Sequence, residues 1–151
     1  MARAQSTMKR IRIRRCRPCD VTAVLQFWNR AGAPESVTDA PSSLRARLRR
    51  DRDLLLLAWD DSRLIGSVMG GWDGWRASMA RLAVDPAYRR LGIARALVAR
   101  VEKRLRARGA KRIGGIVLIE NRLGRAFWER AGYRRDRRVY RYIKDLAGAR
   151  D

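Results

Sequence analysis

Ile11 and Ile13 alternate with arginine, the two-residue period of a strand with one buried face. Asp20 then precedes Val21, Val24, Leu25 and Trp28. Their three- and four-residue spacing predicts a helix, with the aspartate as its N-cap. Gly32, Pro34 and Pro41 mark a loop from Ala31 to Pro41. A second helix is predicted to start at Ser42 or Ser43, with Leu44 and Leu48 inward. Leu54 to Trp59 is an unbroken apolar run of strand length. Asp60-Asp61-Ser62 turns it into a returning strand, Leu64 to Met69. Gly70-Gly71-Trp72-Asp73-Gly74 reads as the next turn, and Met79 to Val84 as a fourth strand. Ala94, Leu97, Val98, Val101 and Leu105 share one helical face, and Gly109 sits where a C-terminal cap belongs. A fifth strand is predicted over Ile113 to Ile119, a helix over Arg122 to Ala131 closed by Gly132, and a last strand over Val139 to Ile143. Hairpin-connected strands between helices indicate a mixed, layered α/β domain.

The junction between the fourth strand and its helix carries the sharpest chemical signal. Leu82-Ala83-Val84 leads through Asp85-Pro86 and the basic stretch Arg89-Arg90 to Gly92, where the helix opens. The first N–H groups of a helix have no partner within it, and the helix dipole adds partial positive charge there. Gly92 has no Cβ to keep a ligand from the backbone. Arg89, Arg90 and Arg95 add full charges. Such a site suits a pyrophosphate.

Arg89, Gly92 and Ala94 stand at the three fixed places of the Q/R-x-x-G-x-G/A motif, so the segment resembles the acetyl-CoA-binding motif of the GCN5-related N-acetyltransferases (GNAT family). Downstream, Asn121, a short helix ending in Phe127-Trp128, and Gly132-Tyr133 resemble the family's second motif. The resemblance spans roughly residues 10 to 145. It implies a GNAT fold: a central, mixed, mostly antiparallel sheet with helices on both faces, whose fourth and fifth strands splay apart. It also implies that acetyl-CoA is the co-substrate and that its pantetheine arm pairs with the backbone of Leu82 and Val84. The expected coenzyme-binding set is Leu82, Ala83, Val84, Arg89, Arg90, Gly92, Ile93, Ala94, Arg95, Asn121 and Trp128. No metal is expected.

The catalytic groups are less legible. Many family members carry a tyrosine seven residues after the asparagine, as general acid toward the leaving thiolate; Trp128 occupies that place. An indole N–H donates a hydrogen bond but is no useful acid. The fifth-strand glutamate of the ribosomal-protein acetyltransferases is replaced by Ile116. Glu120 and Tyr133 are the candidates left for catalysis, with Tyr140 a further substitute. Thr38 and Asp39, on the loop between the first two helices, and Trp72 and Asp73, on the glycine-rich turn, are candidates for the acceptor side. Glu35 joins them at the rim. Gly70 to Arg76 also looks like a segment of a bacterial subgroup whose substrates are mostly unassigned.

A lysine-like amine with pKa about 10.4 needs roughly 4–5 kcal/mol to become neutral at pH 7, and an α-amino group near 7.7 about 1. A chain without an evident base therefore suits a low-pKa amine, or a water-relayed base. The expected function is acetyl-CoA-dependent transfer to a primary amine of a small molecule or a peptide N-terminus. Two other classes fit parts of the sequence. One is a non-catalytic acyl-CoA-binding module, motivated by the missing tyrosine and glutamate. The other is a basic nucleic-acid-binding protein.

Composition changes this picture little. The 151 residues suffice for one domain with a substantial core, expected over residues 11–147 after a disordered basic tail, 1–10. The net charge of +21 attracts polyanions without specificity. Lys9, Lys103, Lys111 and Lys144 are the only lysines, and the arginines are spread along the chain, which reads as compositional bias. No stretch has the length of a membrane span and the first residues show no secretory pattern, so a cytoplasmic protein without membrane contact is expected. Cys16 and Cys19 form a C-x-x-C, but the chain has no histidine and no other cysteine to complete a zinc site. The acceptor's identity and a homodimeric state stay open.

Overall fold

The computed structural model describes residues 10–146, so the tail predicted over residues 1–10 lies, but for Arg10, outside the described residues. The chain divides into two compact units, one ending at Gly115 and one beginning at Ile116.

The first unit is a five-stranded sheet in the order β1-β2-β3-β4-β5. Its strands are β1 (Ile11–Arg15), β2 (Leu55–Asp60), β3 (Arg63–Trp72), β4 (Ala77–Val84) and β5 (Ile113–Gly115). The first four pair antiparallel, and β5 pairs parallel to β4. Three helices cover it: α1 (Val21–Arg30), α2 (Pro41–Arg50) and α3 (Ile93–Ala107).

Strand alternation sorts the core into two layers. Leu55, Leu57 and Leu64 pack with Val21, Val24, Phe27, Trp28, Leu44 and Leu48 of α1 and α2. The opposite face takes α3, and two glycines of β3 let it approach closely. A Cβ on Gly66 would lie 3.1 Å from Ile93 and 3.2 Å from Leu97, and one on Gly70 only 2.6 Å from Val101. The sheet is therefore clad on both faces, as the resemblance implied.

Several expectations need correction. Gly70, Gly71 and Trp72 are not a turn but the end of β3; small residues were needed there for packing, because a Cβ on Gly71 would meet the Ser78 hydroxyl at 2.5 Å. The turn is Asp73 to Arg76, with Gly74 at φ +94°. Asp20 precedes α1, but its carboxylate does not cap that helix. It accepts instead from the Arg17 N–H at 2.8 Å and from Arg14 at 2.6 and 3.0 Å, closing the 3-10 turn Pro18–Asp20. Leu25 and Ala94 are half-buried, and Phe27, not anticipated, is fully buried. The second helix starts at Pro41, whose fixed φ and missing N–H suit the first helical position.

The fifth strand ends at Gly115 rather than Ile119. It pairs with Ala77, Ser78 and Met79 alone, and β4 bulges two residues further on, which breaks the ladder. From Ala80 to Val84 the outer edge of β4 pairs with no strand among the described residues.

In the second unit the only helix among the described residues is α4 (Arg122–Arg130). Asn121 caps it, its side-chain oxygen accepting from the Gly124 N–H at 2.9 Å, and Gly132 follows it at φ +90°. Val139 to Ile143 forms no strand: it pairs with no edge among the described residues, and its side chains are exposed.

Candidate active site

The path from β4 to α3 is tied down by Asp85. Its backbone N–H donates to the Ile65 carbonyl at 2.8 Å, and its carboxylate accepts from the Ala87 N–H at 3.0 Å and from Arg63 at 2.9 Å. Pro86 at the start of the following 3-10 turn (Pro86–Tyr88) gives up an N–H that has no use there. The Tyr88 hydroxyl donates to Asp60 at 2.6 Å, fastening the turn to the β2–β3 hairpin. Burial by itself would raise the Asp85 pKa; the Ala87 N–H and Arg63 outweigh it and hold the carboxyl below the usual carboxylate range. A depressed pKa stabilises the fold above the unfolded value of about 3.9, and that contribution is lost as pH falls through the folded value. Asp85→Asn is expected to lose about 1–2 kcal/mol at pH 6. Melting curves at pH 6 and pH 3 check this: the gap between native and variant should shrink at the lower pH.

Past this turn the backbone bends twice into the left-handed region. Arg90 has φ +63° and Gly92, the residue before α3, has φ +79°. Gly92 also supplies the carbonyl that accepts from the Ala96 N–H, so the N–H groups of Ile93, Ala94 and Arg95 precede the first intrahelical bond. Arg89, Arg90 and Arg95 are exposed, and none has a carboxylate partner among the described residues. Free donors, a helix N-terminus and three unpaired guanidinium groups fit a diphosphate.

Leu82, Ala83 and Val84 are half-buried on β4, just before this turn. Opposite Val68 of β3 stand two β4 residues, Arg81 and Leu82, because the register moves from Ser67↔Ala83 to Met69↔Ala80. That is a β-bulge, and its first residue, Arg81, has φ +53°, a conformation ordinarily left to glycine. Side-chain contacts compensate. The Arg81 Nη2 lies 2.6 Å from both carboxylate oxygens of Asp39, its Nη1 donates to the Pro34 carbonyl at 2.8 Å, and its guanidinium covers the Trp28 ring at 4.8 Å.

The acceptor-side candidates are thus placed in two groups. Asp39 is joined to β4 through Arg81 and also accepts from the Ser36 N–H at 2.9 Å, while Thr38 shares a 3.0 Å hydrogen bond with the Ser36 hydroxyl. Asp73 accepts from the N–H groups of Trp75 at 2.8 Å and Arg76 at 2.5 Å, and these bonds lower its pKa. Trp72 closes β3, its carbonyl accepting from Arg50 at 3.2 Å. Both carboxylates are occupied by local structure, which leaves neither as a ready base.

Five candidates belong to the second unit, Glu120, Asn121, Trp128, Tyr133 and Tyr140. Glu120 is exposed in the turn before Asn121. Asn121 spends its carbonyl oxygen on the helix cap and keeps its amide N–H groups as donors. Trp128 packs edge-on against Phe127 at 5.3 Å and Tyr133 at 4.7 Å. Tyr140 is exposed.

Sequence reasoning missed Arg81, Ser67 and Trp28 as parts of one network. The Trp28 indole N–H donates to the Ser67 hydroxyl at 2.9 Å, which donates to the Arg81 carbonyl at 2.8 Å. The available signal was an arginine inside an otherwise uncharged strand. The C-x-x-C gives no such constellation: Cys16 is buried, with its thiol pushed up to about 12 mainly by burial, and Cys19 is exposed. No helix among the described residues is long and apolar enough to cross a membrane.

Known proteins resemble this chain in sequence and in fold. The chain matches the family model of the acetyltransferase (GNAT) family over residues 21–133. An acetyltransferase of Pectobacterium atrosepticum is 38% identical over 121 residues, which cover 80% of this chain and 86% of that protein. Among solved structures, a predicted acetyltransferase with acetyl-CoA from Clostridium acetobutylicum has a TM-score of 0.72 at 14% identity, covering 88% of this chain and 96% of that one. The PaiA N-acetyltransferase of Thermoplasma acidophilum, in complex with coenzyme A, has a TM-score of 0.66 at 23% identity, covering 80% and 87%. With the family match spanning both the helix-opening glycine and the asparagine-capped helix, the chain belongs to the GNAT family and is an N-acetyltransferase.

Proposed function

We propose that this enzyme transfers the acetyl group of acetyl-CoA to a primary amine of low pKa, an α-amino group of a small molecule or a peptide N-terminus. The observation that carries the donor half is the opening of α3: left-handed Gly92, three N–H groups ahead of the first helical bond, and Arg89, Arg90 and Arg95 without carboxylate partners among the described residues. These groups would hold the diphosphate. The open edge of β4 offers Leu82 and Val84 to the amides of a pantetheine arm, as an unpaired strand edge accepts an extended chain. The bound structures of GNAT neighbours from Clostridium acetobutylicum and Thermoplasma acidophilum support acetyl-CoA as the donor.

The chemistry asked of the chain is modest. The amine nitrogen bonds to the thioester carbon, the carbonyl oxygen gathers charge, and the C–S bond then breaks to release thiolate, which takes up through solvent the proton that the nitrogen gives up, leaving amide and free thiol. A backbone N–H at the bulge, that of Leu82, would stabilise the oxygen. The amine must arrive neutral, and Asp39 and Asp73 are both engaged elsewhere. With Asp39 and Asp73 so engaged, a low amine pKa supplies the nucleophile without calling on either of them as base.

The test is thiol release from acetyl-CoA with paired acceptors, a peptide amide bearing a free α-amino group and its N-blocked lysine counterpart, across pH 6 to 9. The α-amino acceptor should react at pH 7, with a rate that levels off above its pKa of about 7.7. Turnover of the lysine amine alone at neutral pH would sink the acceptor assignment while leaving the donor site intact.

A further inference from the structure

We propose that Ser67 is a positioning residue of the transfer reaction: held by the Trp28 indole, its hydroxyl grips the Arg81 carbonyl and so aims and polarises the Leu82 N–H at the thioester oxygen. The inference rests on the acetyl-CoA reading above and adds to it the part that readies the oxyanion donor.

Ser67 is a polar residue with no exposed surface, in a strand that, past Arg63 at its start, is otherwise built of apolar and glycine positions. A hydroxyl so placed must find both its partners within the protein, because an unsatisfied one is costly. It finds them on two different elements. The direction of the chain is unambiguous. An indole N–H can only donate and a carbonyl can only accept, so the Ser67 proton points to Arg81.

The acceptor of that proton is the peptide joining Arg81 to Leu82, the two residues of the bulge. In a trans peptide the carbonyl and the following N–H point in opposite directions. A carbonyl held toward Ser67 on β3 therefore sends the Leu82 N–H away from β3, toward the edge where β4 has no strand partner among the described residues. Hydrogen bonds in a chain also polarise one another. The sequence Trp28 to Ser67 to the bulge peptide thus strengthens the donor at its far end. Arg81 itself also holds this peptide, its left-handed backbone braced by Asp39, Pro34 and the Trp28 ring. Trp28 consequently serves both contacts, one through its N–H and one through its face.

Ser67→Ala removes the grip, and Ser67→Cys, close in size, replaces it with a weak donor. Ser67→Thr keeps the hydroxyl. The readout is the infrared carbonyl stretch of acetyl-CoA labelled with carbon-13 at the acetyl carbonyl, free and bound, alongside the rise in melting temperature that acetyl-CoA produces. In the native enzyme the bound stretch should lie below the free one. In Ser67→Ala it should move back toward the free value while the melting shift persists, with Ser67→Cys between and Ser67→Thr near native. Turnover should fall on the order of tenfold in Ser67→Ala, short of the ~10²–10³ for losing a donor outright. If Ser67→Ala does not fold, Ser67→Cys decides. An unchanged stretch in the hydroxyl-lacking variant, or a melting shift lost together with it, would overturn the assignment. A native enzyme whose melting acetyl-CoA leaves unmoved would instead sink the donor reading, and this inference with it.

Discussion

Gly92→Glu should abolish the thermal stabilisation that acetyl-CoA gives the native enzyme. Ligand at about 100 times its Kd adds about 2.7 kcal/mol. For a chain of this length that is roughly 5–10 °C. Two effects oppose binding in the variant. Gly92 sits at φ +79°, where an L side chain raises the energy by about 1–2 kcal/mol. The carboxylate also stands where the diphosphate would approach, at the open N-terminus of α3. Gly92→Ala separates the two, because a Cβ there meets nothing within 4 Å. It should keep a reduced shift. Heparin serves as the polyanion control. The substitution takes one unit from a net charge of +21, so any heparin response should survive in Gly92→Glu. Equal loss of both responses would point to general charge attraction and away from a built donor site.

Leu97→Ala should be the most destabilising of the substitutions considered. Leu97 has no exposed surface and lies against the face of β3 that Gly66 keeps bare. Truncating a buried leucine typically removes about 2–5 kcal/mol, through lost transfer energy and the cavity left behind. The close approach of α3 to the sheet leaves little room to collapse, which favours the upper half of that range. A fall of roughly 6–15 °C in melting temperature is expected. The helix whose first turn would bind the diphosphate is the same one this contact clamps, so acetyl-CoA should recover part of the loss. A fall below about 3 °C would mean that α3 is not anchored through this contact.

These predictions draw on different parts of what the sequence made legible. The strand–turn–helix at Leu82 to Val98 is local: alternation, Asp-Pro, a glycine before an amphipathic run. Each signal acts over a few residues, so its reading matched the structure closely. The asparagine cap of α4 and Gly132 beyond it are local as well. The failures share one cause. Gly70-Gly71 has the composition of a turn, yet it is strand, because α3 and Ser78 crowd those positions from elsewhere. Ile113 to Ile119 has the composition of a strand, yet only three residues pair, because β4 offers a straight edge no further. Val139 to Ile143 has the β-branched and aromatic composition of a strand and pairs with nothing among the described residues. A strand exists only through its neighbour, and neighbours are distant in sequence.

The sequence by itself pointed to the family, and through it to a sheet clad on both faces, by the resemblance of two spaced motifs, and it determined the strand–turn–helix around Gly92 by short-range periodicity, turn chemistry and the physics of a helix N-terminus. Only the tertiary structure decided what Arg81, Ser67, Trp28 and Asp39 do. Arginine on a strand, serine on a strand, tryptophan in a helix and aspartate in a loop carry no joint signature along the chain. They meet because the bulge in β4 turns one residue into the left-handed region, and α1, β3 and the loop at Asp39 converge on it. Contacts spanning 14 to 42 residues are set by packing, and packing is the part of the problem that no local pattern encodes.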